Sequence, residues 1–268
     1  MGDRPLAGKW ALILGASSGF GEATALELAR EGMNIVGVHL DRRATMPNVE
    51  RIINEIEASG GKALFFNVNA ADAEKRTEVI TGAKAAMIEA GSEPQFHVLM
   101  HSLAFGTLRE LATPEGDGMT QAQLEMTLNV MANSLVYWTQ DLLKQGLLGF
   151  GSRLFGMTSE GGTRIWRTYG AVSAAKVALE SYLRQLGWEL APLGITANAI
   201  RAGVTDTPAL RKIPGHEGML SESLRRNPTG RLTSPQDVAS AIALLARPGA
   251  QFISGNVIGV DGGEATSG

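Results

Sequence analysis

The chain has 268 residues, of which 44% are hydrophobic and 19% are charged, a balance that suits one large α/β domain with a substantial core. It contains no cysteine, which excludes disulfides and thiolate metal sites and makes a reducing cytoplasm the expected location. The formal net charge of -3 gives no electrostatic reason to expect a nucleic-acid partner. The first residues show no secretion signal, and no apolar stretch approaches the roughly 20 residues that span a membrane.

Apolar runs of strand length alternate with segments of helical periodicity, the pattern of repeated βαβ units around a parallel sheet. Strands are predicted near 9–14, 34–39, 62–68, 96–101, 152–157, 195–200 and 256–260. Helices are predicted near 19–31, 48–59, 72–90, 120–145, 169–191 and 235–246. No linker interrupts this order, so one catalytic domain is predicted over 1–268. The irregular stretch 204–230, rich in Pro, Gly, Arg and Thr, favours a substrate lid loop.

The first predicted strand leads directly into the glycine loop Gly15-Ala16-Ser17-Ser18-Gly19-Phe20-Gly21, and a helical pattern follows. Glycines permit a tight turn and the close approach of a pyrophosphate, while the helix N-terminus presents free amides and the positive end of its dipole. The spacing is Gly-x3-Gly-x-Gly, where most dinucleotide folds have Gly-x-Gly-x-x-Gly. With a strand before it and a helix after it, the loop is predicted to bind a dinucleotide.

Tyr169 and Lys176 lie seven residues apart at the start of the predicted helix 169–191. Seven residues turn a helix by about 700°, which leaves the lysine roughly 20° from the stripe of the tyrosine. A cation beside a phenol favours the phenolate and lowers the phenol pKa, so this pair would make the tyrosine a usable proton donor near neutral pH. An amphipathic helix with its lysine in solvent is the alternative explanation of the same spacing.

The glycine loop, the Tyr169 and Lys176 pair, and two closing segments together resemble the short-chain dehydrogenase/reductase family over essentially the whole chain. The closing segments are Pro228-Thr229-Gly230-Arg231-Leu232 and Val260-Asp261-Gly262-Gly263. The resemblance implies a single-domain Rossmann fold with a doubly wound seven-stranded parallel sheet, a nicotinamide cofactor and a homotetramer. It also implies that the helices at 120–145 and 169–191 form the subunit interface.

Three segments resemble the enoyl-acyl carrier protein reductase branch of this family more than its ketone reductases. Tyr169 and Lys176 form Tyr-x6-Lys, whereas the commonest branch has Tyr-x3-Lys. His101-Ser102-Leu103-Ala104-Phe105 is similar to the His-Ser-Ile-Gly/Ala-Phe of enoyl reductases, and Arg201-Ala202-Gly203 replaces the common Pro-Gly with Ala-Gly. The glycine loop, by contrast, looks like that of the ketone-reducing majority. This mixture is similar to an NADPH-using enoyl reductase subgroup known from bacilli.

That branch implies reduction of the 2,3 double bond of an enoyl thioester, on acyl carrier protein or coenzyme A, in fatty acid biosynthesis. Tyr169 would donate a hydrogen bond to the thioester oxygen as enolate charge develops, and Lys176 would bind the nicotinamide ribose. Ser159 replaces the second tyrosine of other enoyl reductases and could orient the carbonyl.

Asn129 leaves a second function open. It occupies the position at which ketone reductases of the family place an asparagine that holds a proton-relay water. Reduction of a 3-oxoacyl thioester or another carbonyl compound is therefore the alternative. A catalytically inactive nucleotide-binding sensor is a minor third hypothesis.

The end of the second strand bears on the choice between NADPH and NADH. Asp41 lies about twenty residues past the glycine loop, where an acid would bind the ribose 2′-hydroxyl and favour NAD. Counted from Gly32, however, the strand-end position falls on His39, and Arg42 and Arg43 can bind a phosphate through charge-assisted hydrogen bonds. We therefore favour NADPH, with NADH as the alternative. The resemblance implies further cofactor contacts at Ser17, Ser18, Phe20, Asn67, Val68, Ser102, Leu103, Ala104, Val204, Thr205 and Thr207.

Residues 208–227 are predicted to form the substrate lid, with Met219 and Leu220 against the acyl chain and Phe105 as a third substrate contact. Packing of an amphipathic helix is the alternative role for Met219 and Leu220. The four histidines share no ligand spacing on one helix face, so no catalytic metal is expected.

Overall fold

The computed structural model describes residues 4–267, in which seven parallel strands form one sheet. The strands are β1 (Trp10–Leu14), β2 (Asn34–His39), β3 (Ala63–Asn67), β4 (Phe96–His101), β5 (Arg153–Ser159), β6 (Thr196–Ala202) and β7 (Val257–Val260). Their order across the sheet is β3-β2-β1-β4-β5-β6-β7, and every pairing is parallel. All seven predicted strands are confirmed.

Helices cover both faces of the sheet. They are α1 (Gly19–Arg30), α2 (Met46–Ala58), α3 (Ala73–Glu89), α4 (Gln121–Leu128), α5 (Ser134–Lys144), α6 (Gly170–Glu189), α7 (His216–Arg226) and α8 (Pro235–Ala246). One core joins the sheet to α3, α5 and α6 through side chains such as Met87, Trp138 and Leu183. A second core joins the other face to α1, α2 and α8 through side chains such as Leu28 and Ile242. The doubly wound fold is confirmed.

Burial on both faces explains why the central strands were visible in the sequence. Every residue of β1, β2 and β4 is buried, so these strands read as nearly continuous apolar runs. The chain goes from β1 to β2 and β3 on one side, then crosses to β4 on the other side of β1. In such sheets the crevice beyond the carboxyl ends of the strands at this reversal is the usual ligand site.

Two helical regions differ from the sequence prediction. The helix predicted over 120–145 is divided by a π-helical turn, Asn129–Asn133, into α4 and α5. Helix α7 lies inside the stretch predicted to be irregular. Pro214 and Gly215 before it and Pro228 after it confine it to 11 residues. These Pro and Gly residues led to the prediction of irregular structure, although the helix is amphipathic. Among residues 4–267, no helix combines the length and apolar character needed to cross a membrane.

Candidate active site

The glycine loop follows β1 and faces the loops after β4 and β6. A Cβ on Gly15 would lie 2.5 Å from the carbonyl oxygen of Ser102, so the β1 and β4 loops are in backbone contact. A Cβ on Gly21 would collide with the carbonyl of Gly15. A Cβ on Gly19 would lie 3.5 Å from Thr207, in the loop after β6. The three loops therefore surround one crevice, and larger residues at 15 and 21 would disrupt it.

Helix α1 begins at this crevice without a side-chain cap. Ser18 is its N-cap residue, and its side chain makes no capping hydrogen bond. The first-turn amides and the positive end of the helix dipole are thus available to an anionic group. The loop and helix fit the pyrophosphate of a dinucleotide, with Ser17, Ser18 and Phe20 at the same turn.

The ends of β2 and β3 meet at Asp41. The buried His39 has Nδ1 2.9 Å from the Asp41 carboxylate. The Asp41 N–H donates to Asn67 Oδ1 at 2.9 Å, and Asn67 Nδ2 donates to the Asp41 carbonyl at 3.0 Å. Partial burial acts to raise the pKa of Asp41, but hydrogen bonds from Ser17, Thr45 and His39 outweigh burial and hold this pKa below its usual value. An ionised acid therefore lies beside the glycine loop.

Arg42 and Arg43 follow this acid and are both exposed. Neither forms an ion pair with a carboxylate in the described part of the chain, 4–267. The His39 ring packs near Phe65, with ring centroids 6.1 Å apart, so the imidazole is held inside the strand end. Of the three predicted 2′-site residues, the two arginines are the ones with free cationic groups.

Tyr169 and Ser159 come together where β5 ends and α6 begins. Their hydroxyl oxygens lie 3.3 Å apart. Burial raises the pKa of Tyr169 above its usual value, and the hydrogen bond with Ser159 offsets only part of the rise. The expectation that the phenol pKa is lowered is therefore wrong, because the spacing to Lys176 carried no information about burial. A protonated phenol remains a hydrogen-bond donor at neutral pH.

Lys176 on α6 is buried, which excludes the alternative of a lysine in solvent. Its Nζ donates to the Met157 carbonyl at 2.7 Å, near the end of β5. Burial lowers the pKa of Lys176 to about 8, against the raising effect of the Glu180 carboxylate. Glu180 also accepts a hydrogen bond from Thr158 Oγ1 at 2.6 Å. Glu180 was not among the predicted site residues, although it lies four residues after Lys176 on α6, a spacing that places two side chains on one helix face.

Thr168, immediately before Tyr169, has an unusual backbone conformation. Its φ of 68° makes it the one non-glycine residue with positive φ among residues 4–267. A β-branched residue is strained in this left-handed region. Its Oγ1 is buried without a hydrogen-bond partner. Packing around the loop thus holds a strained residue next to the tyrosine, a feature that residue spacing could not reveal.

Asn129 opens the π-helical turn that faces α6. His101 Nε2 donates to Ser134 Oγ at 2.9 Å, and Ser134 Oγ donates to the Val130 carbonyl at 2.8 Å, which fixes the turn to the end of β4. Tyr182 on α6 donates to Asn133 Oδ1 at 2.9 Å. His101 is fully buried, and burial lowers its pKa to about 3, so it is neutral at physiological pH. His101 thus positions this turn from inside the core.

A buried ion-pair network that the sequence does not reveal connects the loop after β6 to the lid. Arg226, the last residue of α7, has Nη2 3.2 Å from Glu264 and 3.3 Å from Glu160, the residue after Ser159. The Val204 N–H donates to Glu264 Oε2 at 3.3 Å. Burial raises the pKa of the fully buried Glu264, against the lowering effects of Ser223 and Arg226. Positions 160, 226 and 264 are too distant along the chain for their pairing to be read from it.

The predicted substrate residues lie in the loop after β4 and on α7. The Phe105 side chain is 60% exposed, and Met219 and Leu220 lie half-buried on α7. Trp166 Nε1 donates to the Pro214 carbonyl at 3.3 Å, which joins the loop before Tyr169 to the lid segment. The remaining predicted contacts occupy the strand-end loops already described, with Thr205 and Thr207 buried and Val68, Leu103, Ala104 and Val204 more accessible.

Comparison with known proteins agrees with this geometry. The family model described as Enoyl-(Acyl carrier protein) reductase matches residues 15–264. The 1-cyclohexenylcarbonyl-CoA reductase of Streptomyces collinus is 31% identical over 94% of this chain and 85% of its own length. The 3-oxoacyl-[acyl-carrier-protein] reductase FabG of Thermotoga maritima is 27% identical over 96% of this chain and 98% of its own. A short-chain dehydrogenase from Burkholderia cenocepacia, solved in complex with NADP, is 25% identical with a TM-score of 0.81, covering 97% and 99% of the two chains.

The fold and the strand-end crevice define an oxidoreductase with a nucleotide-binding sheet. The chain belongs to the short-chain dehydrogenase/reductase family, with the enoyl reductase-like family model spanning nearly its whole length.

Proposed function

We propose that this protein reduces the 2,3 double bond of an enoyl thioester with NAD(P)H, NADPH being the favoured donor. The observation that carries the proposal is the 3.3 Å separation of the Ser159 and Tyr169 hydroxyl oxygens, where β5 ends and α6 begins. Helix α6 also carries the buried Lys176. Two hydroxyls at this separation can contact a single substrate oxygen. A preorganised donor stabilises such an oxygen most when it gains charge in the transition state.

Each group has a defined role in this proposal. The bound nicotinamide would supply hydride. Tyr169 is protonated at neutral pH, since burial raises its pKa above the ordinary 10, and it would donate to the thioester oxygen as enolate charge develops. Ser159 would orient the same oxygen. Lys176 would bind the nicotinamide ribose, while the Met157 carbonyl holds its ammonium group in place.

The chemistry of one relative supports the enoyl assignment. A 1-cyclohexenylcarbonyl thioester, as named for the Streptomyces collinus reductase, has a ring double bond beside its thioester carbonyl and no ketone. Reduction of such a compound therefore points to the conjugated double bond. For this chain the corresponding substrate is an enoyl group on coenzyme A or acyl carrier protein.

Carbonyl reduction is the second candidate, and Asn129 favours it. The asparagine lies at the first residue of the π-helical turn against α6, where backbone groups depart from the α-helical bonding pattern. An amide here suits the holding of a proton-relay water. The Thermotoga maritima relative is named for reduction of a 3-oxoacyl substrate.

A substrate pair distinguishes the candidates. The purified protein is given NADPH or NADH together with crotonyl-CoA or acetoacetyl-CoA, and loss of reduced-nicotinamide absorbance is followed. We expect oxidation with the crotonyl thioester. Oxidation with acetoacetyl-CoA alone would replace the enoyl assignment with the carbonyl one, and oxidation with neither thioester would contradict both.

We further propose a homotetramer assembled through α4, α5 and α6. The apolar side chains of Tyr137 on α5 and Val177 on α6 are exposed in the single chain and could pack against another copy. Light scattering of the purified protein measures the mass directly, and a monomeric mass would refute the assembly.

A further inference from the structure

A second cleft lies at the amino ends of β1, β4 and β5, the edge of the sheet opposite the candidate active site. Its volume is about 650 Å³, and its lining includes Lys9, Trp10, His97 and Arg153. Arg153 and Ser159 are the first and last residues of β5. A seven-residue strand separates them by roughly 20 Å, so the cleft is distinct from the active site.

Arg153 is the central feature of this cleft. It is only 4% exposed, and its Nη1 donates to the carbonyls of Gly151 at 3.0 Å and Ser152 at 3.4 Å. Its Nε is buried without a hydrogen-bond partner. A guanidinium removed from water needs a counter-charge or full hydrogen bonding, and Arg153 forms no ion pair within the part of the chain described here.

Lys9 places a second cation at the same cleft. Burial lowers the pKa of Lys9, and the charge of Arg153 lowers it further. No carboxylate of residues 4–267 lies within ion-pair distance of Lys9. The exposed Glu93 is the one acidic residue in the lining. An anion placed between Lys9 and Arg153 would offset the repulsion between their two positive charges.

Two aromatic rings with polar nitrogen atoms also line the cleft. Trp10 lines the cleft, and its Nε1–H is buried without an acceptor. His97 Nε2 donates to the Ala246 carbonyl at 2.7 Å. Burial lowers the pKa of His97 to about 4, so the ring is neutral and its Nδ1 is an acceptor. A phosphate has oxygens for the cationic donors and, when singly protonated, a hydroxyl for an acceptor such as His97 Nδ1.

We propose that this cleft binds a phosphate group through Arg153 and Lys9. A dianion matches the two cations, whereas a carboxylate balances only one. The planar guanidinium fork also suits phosphate oxygens, which makes Arg153 the directing residue. The ligand is inorganic phosphate or a small organic phosphate, since the cleft is larger than the ion alone.

The four tryptophan indole N–H signals allow binding to be located by NMR. Trp10 reports on the cleft, Trp166 on the lid, Trp138 on the core and Trp188 on the exposed end of α6. The full chain is titrated with inorganic phosphate at constant ionic strength, balanced with chloride, and in parallel with acetate. We expect the Trp10 signal to move saturably with phosphate while Trp188 stays fixed. A Trp10 signal unmoved by phosphate, or moved with equal affinity by acetate, would overturn the proposal.

Lys9→Gln and Lys75→Gln form the matched pair of variants. Both remove one positive charge, but Lys75 lies on the solvent-facing side of α3 and pairs with Glu78 outside the cleft. Lys9→Gln should weaken phosphate binding about tenfold or more, with Lys75→Gln unchanged. Phosphate should also raise the melting temperature of the wild type and the Lys75 variant more than that of Lys9→Gln. Equal phosphate affinity in all three proteins would refute the site. Arg153→Gln is a further variant, but the Lys9 result decides the question if that protein does not fold.

Discussion

The Ser159 and Tyr169 hydroxyls lie 3.3 Å apart, one at the end of β5 and the other at the start of α6. Tyr169→Phe removes only the phenolic donor. We expect it to lower kcat by about 100-fold or more, since donors to a developing oxyanion act mainly in the transition state. Binding of NADPH, measured by fluorescence, should be unchanged. Full retained turnover would remove Tyr169 from the mechanism.

The buried Lys176 predicts a pH dependence of activity. Its pKa of about 8 means that the ammonium form is lost as pH rises through this value. We expect kcat/KM to fall above about pH 8, and Lys176→Arg to move the decline to higher pH because arginine stays charged. Rates measured from pH 6 to pH 10 test this, with circular dichroism as the check on folding. A wild-type profile that is flat over this range would contradict the role of the ammonium group.

The same lysine makes stability depend on pH. Its pKa is lower in the folded chain than the ordinary 10.5, so between about pH 8 and 10.5 the unfolded chain binds more protons. Burial of Lys176 therefore destabilises the fold below pH 8, and this destabilisation diminishes as pH rises toward 10.5. We expect the free energy of unfolding, measured in urea, to rise between about pH 8 and 10.5 in the wild type. The same rise should be absent in Lys176→Met. The reverse slope would show that another group dominates.

Arg42 and Arg43 predict the cofactor preference. Their combined change to Gln should raise the Kd for NADPH about tenfold or more and leave the Kd for NADH nearly unchanged. Asp41→Asn should tighten NADPH binding, because it removes an ionised group beside the 2′-phosphate. Fluorescence titration with both nucleotides measures each Kd. If the two arginine substitutions leave the Kd of both nucleotides unchanged, the end of β2 does not bind the 2′-phosphate.

The ion pair between Arg226 and Glu264 attaches the lid to the rest of the fold, so we expect its loss to lower the stability of the whole protein. Arg226→Met leaves the fully buried Glu264 without its cation and should lower the free energy of unfolding by about 3–5 kcal/mol. The loss should shrink at acid pH, where protonated Glu264 needs no counter-charge. Arg225→Met is the matched control, since the neighbouring arginine is exposed and pairs with Glu222 at the surface. Equal decreases in the free energy of unfolding in the two variants would show that the buried ion pairs stabilise the fold no more than a surface pair does.

The positive φ of Thr168 places backbone strain next to Tyr169. Thr168→Gly should raise the free energy of unfolding by about 1 kcal/mol, because glycine accepts a positive φ freely. It should also lower kcat, since the segment before Tyr169 would be less fixed. Thr163→Gly, in the same loop at φ -118°, should instead lose stability. A loss of stability at both positions would argue against strain at Thr168.

The sequence could predict those features that local pattern determines. Strands buried on both faces and the glycine turn leave direct signals, and the resemblance supplied the grouping of Ser159, Tyr169 and Lys176. Burial is the main property that spacing did not supply, which is why the pKa of Tyr169 was expected in the wrong direction. The Arg226–Glu264 pair depends on contacts between distant segments, and α7 lies in a stretch whose Pro and Gly content suggested irregular chain. The π-helical turn does not change residue composition and so gives no signal.

The turn Asn129–Asn133 restricts how this region can change in length. A π turn holds about one residue more than an α turn, so it offsets α5 by about 100° relative to an uninterrupted helix. Deleting one residue here would allow a continuous helix but would rotate Ser134 away from His101, or Thr127 away from the Thr107 N–H that it accepts at 3.0 Å. A single-codon insertion or deletion between 121 and 144 would therefore change which side chains face the sheet.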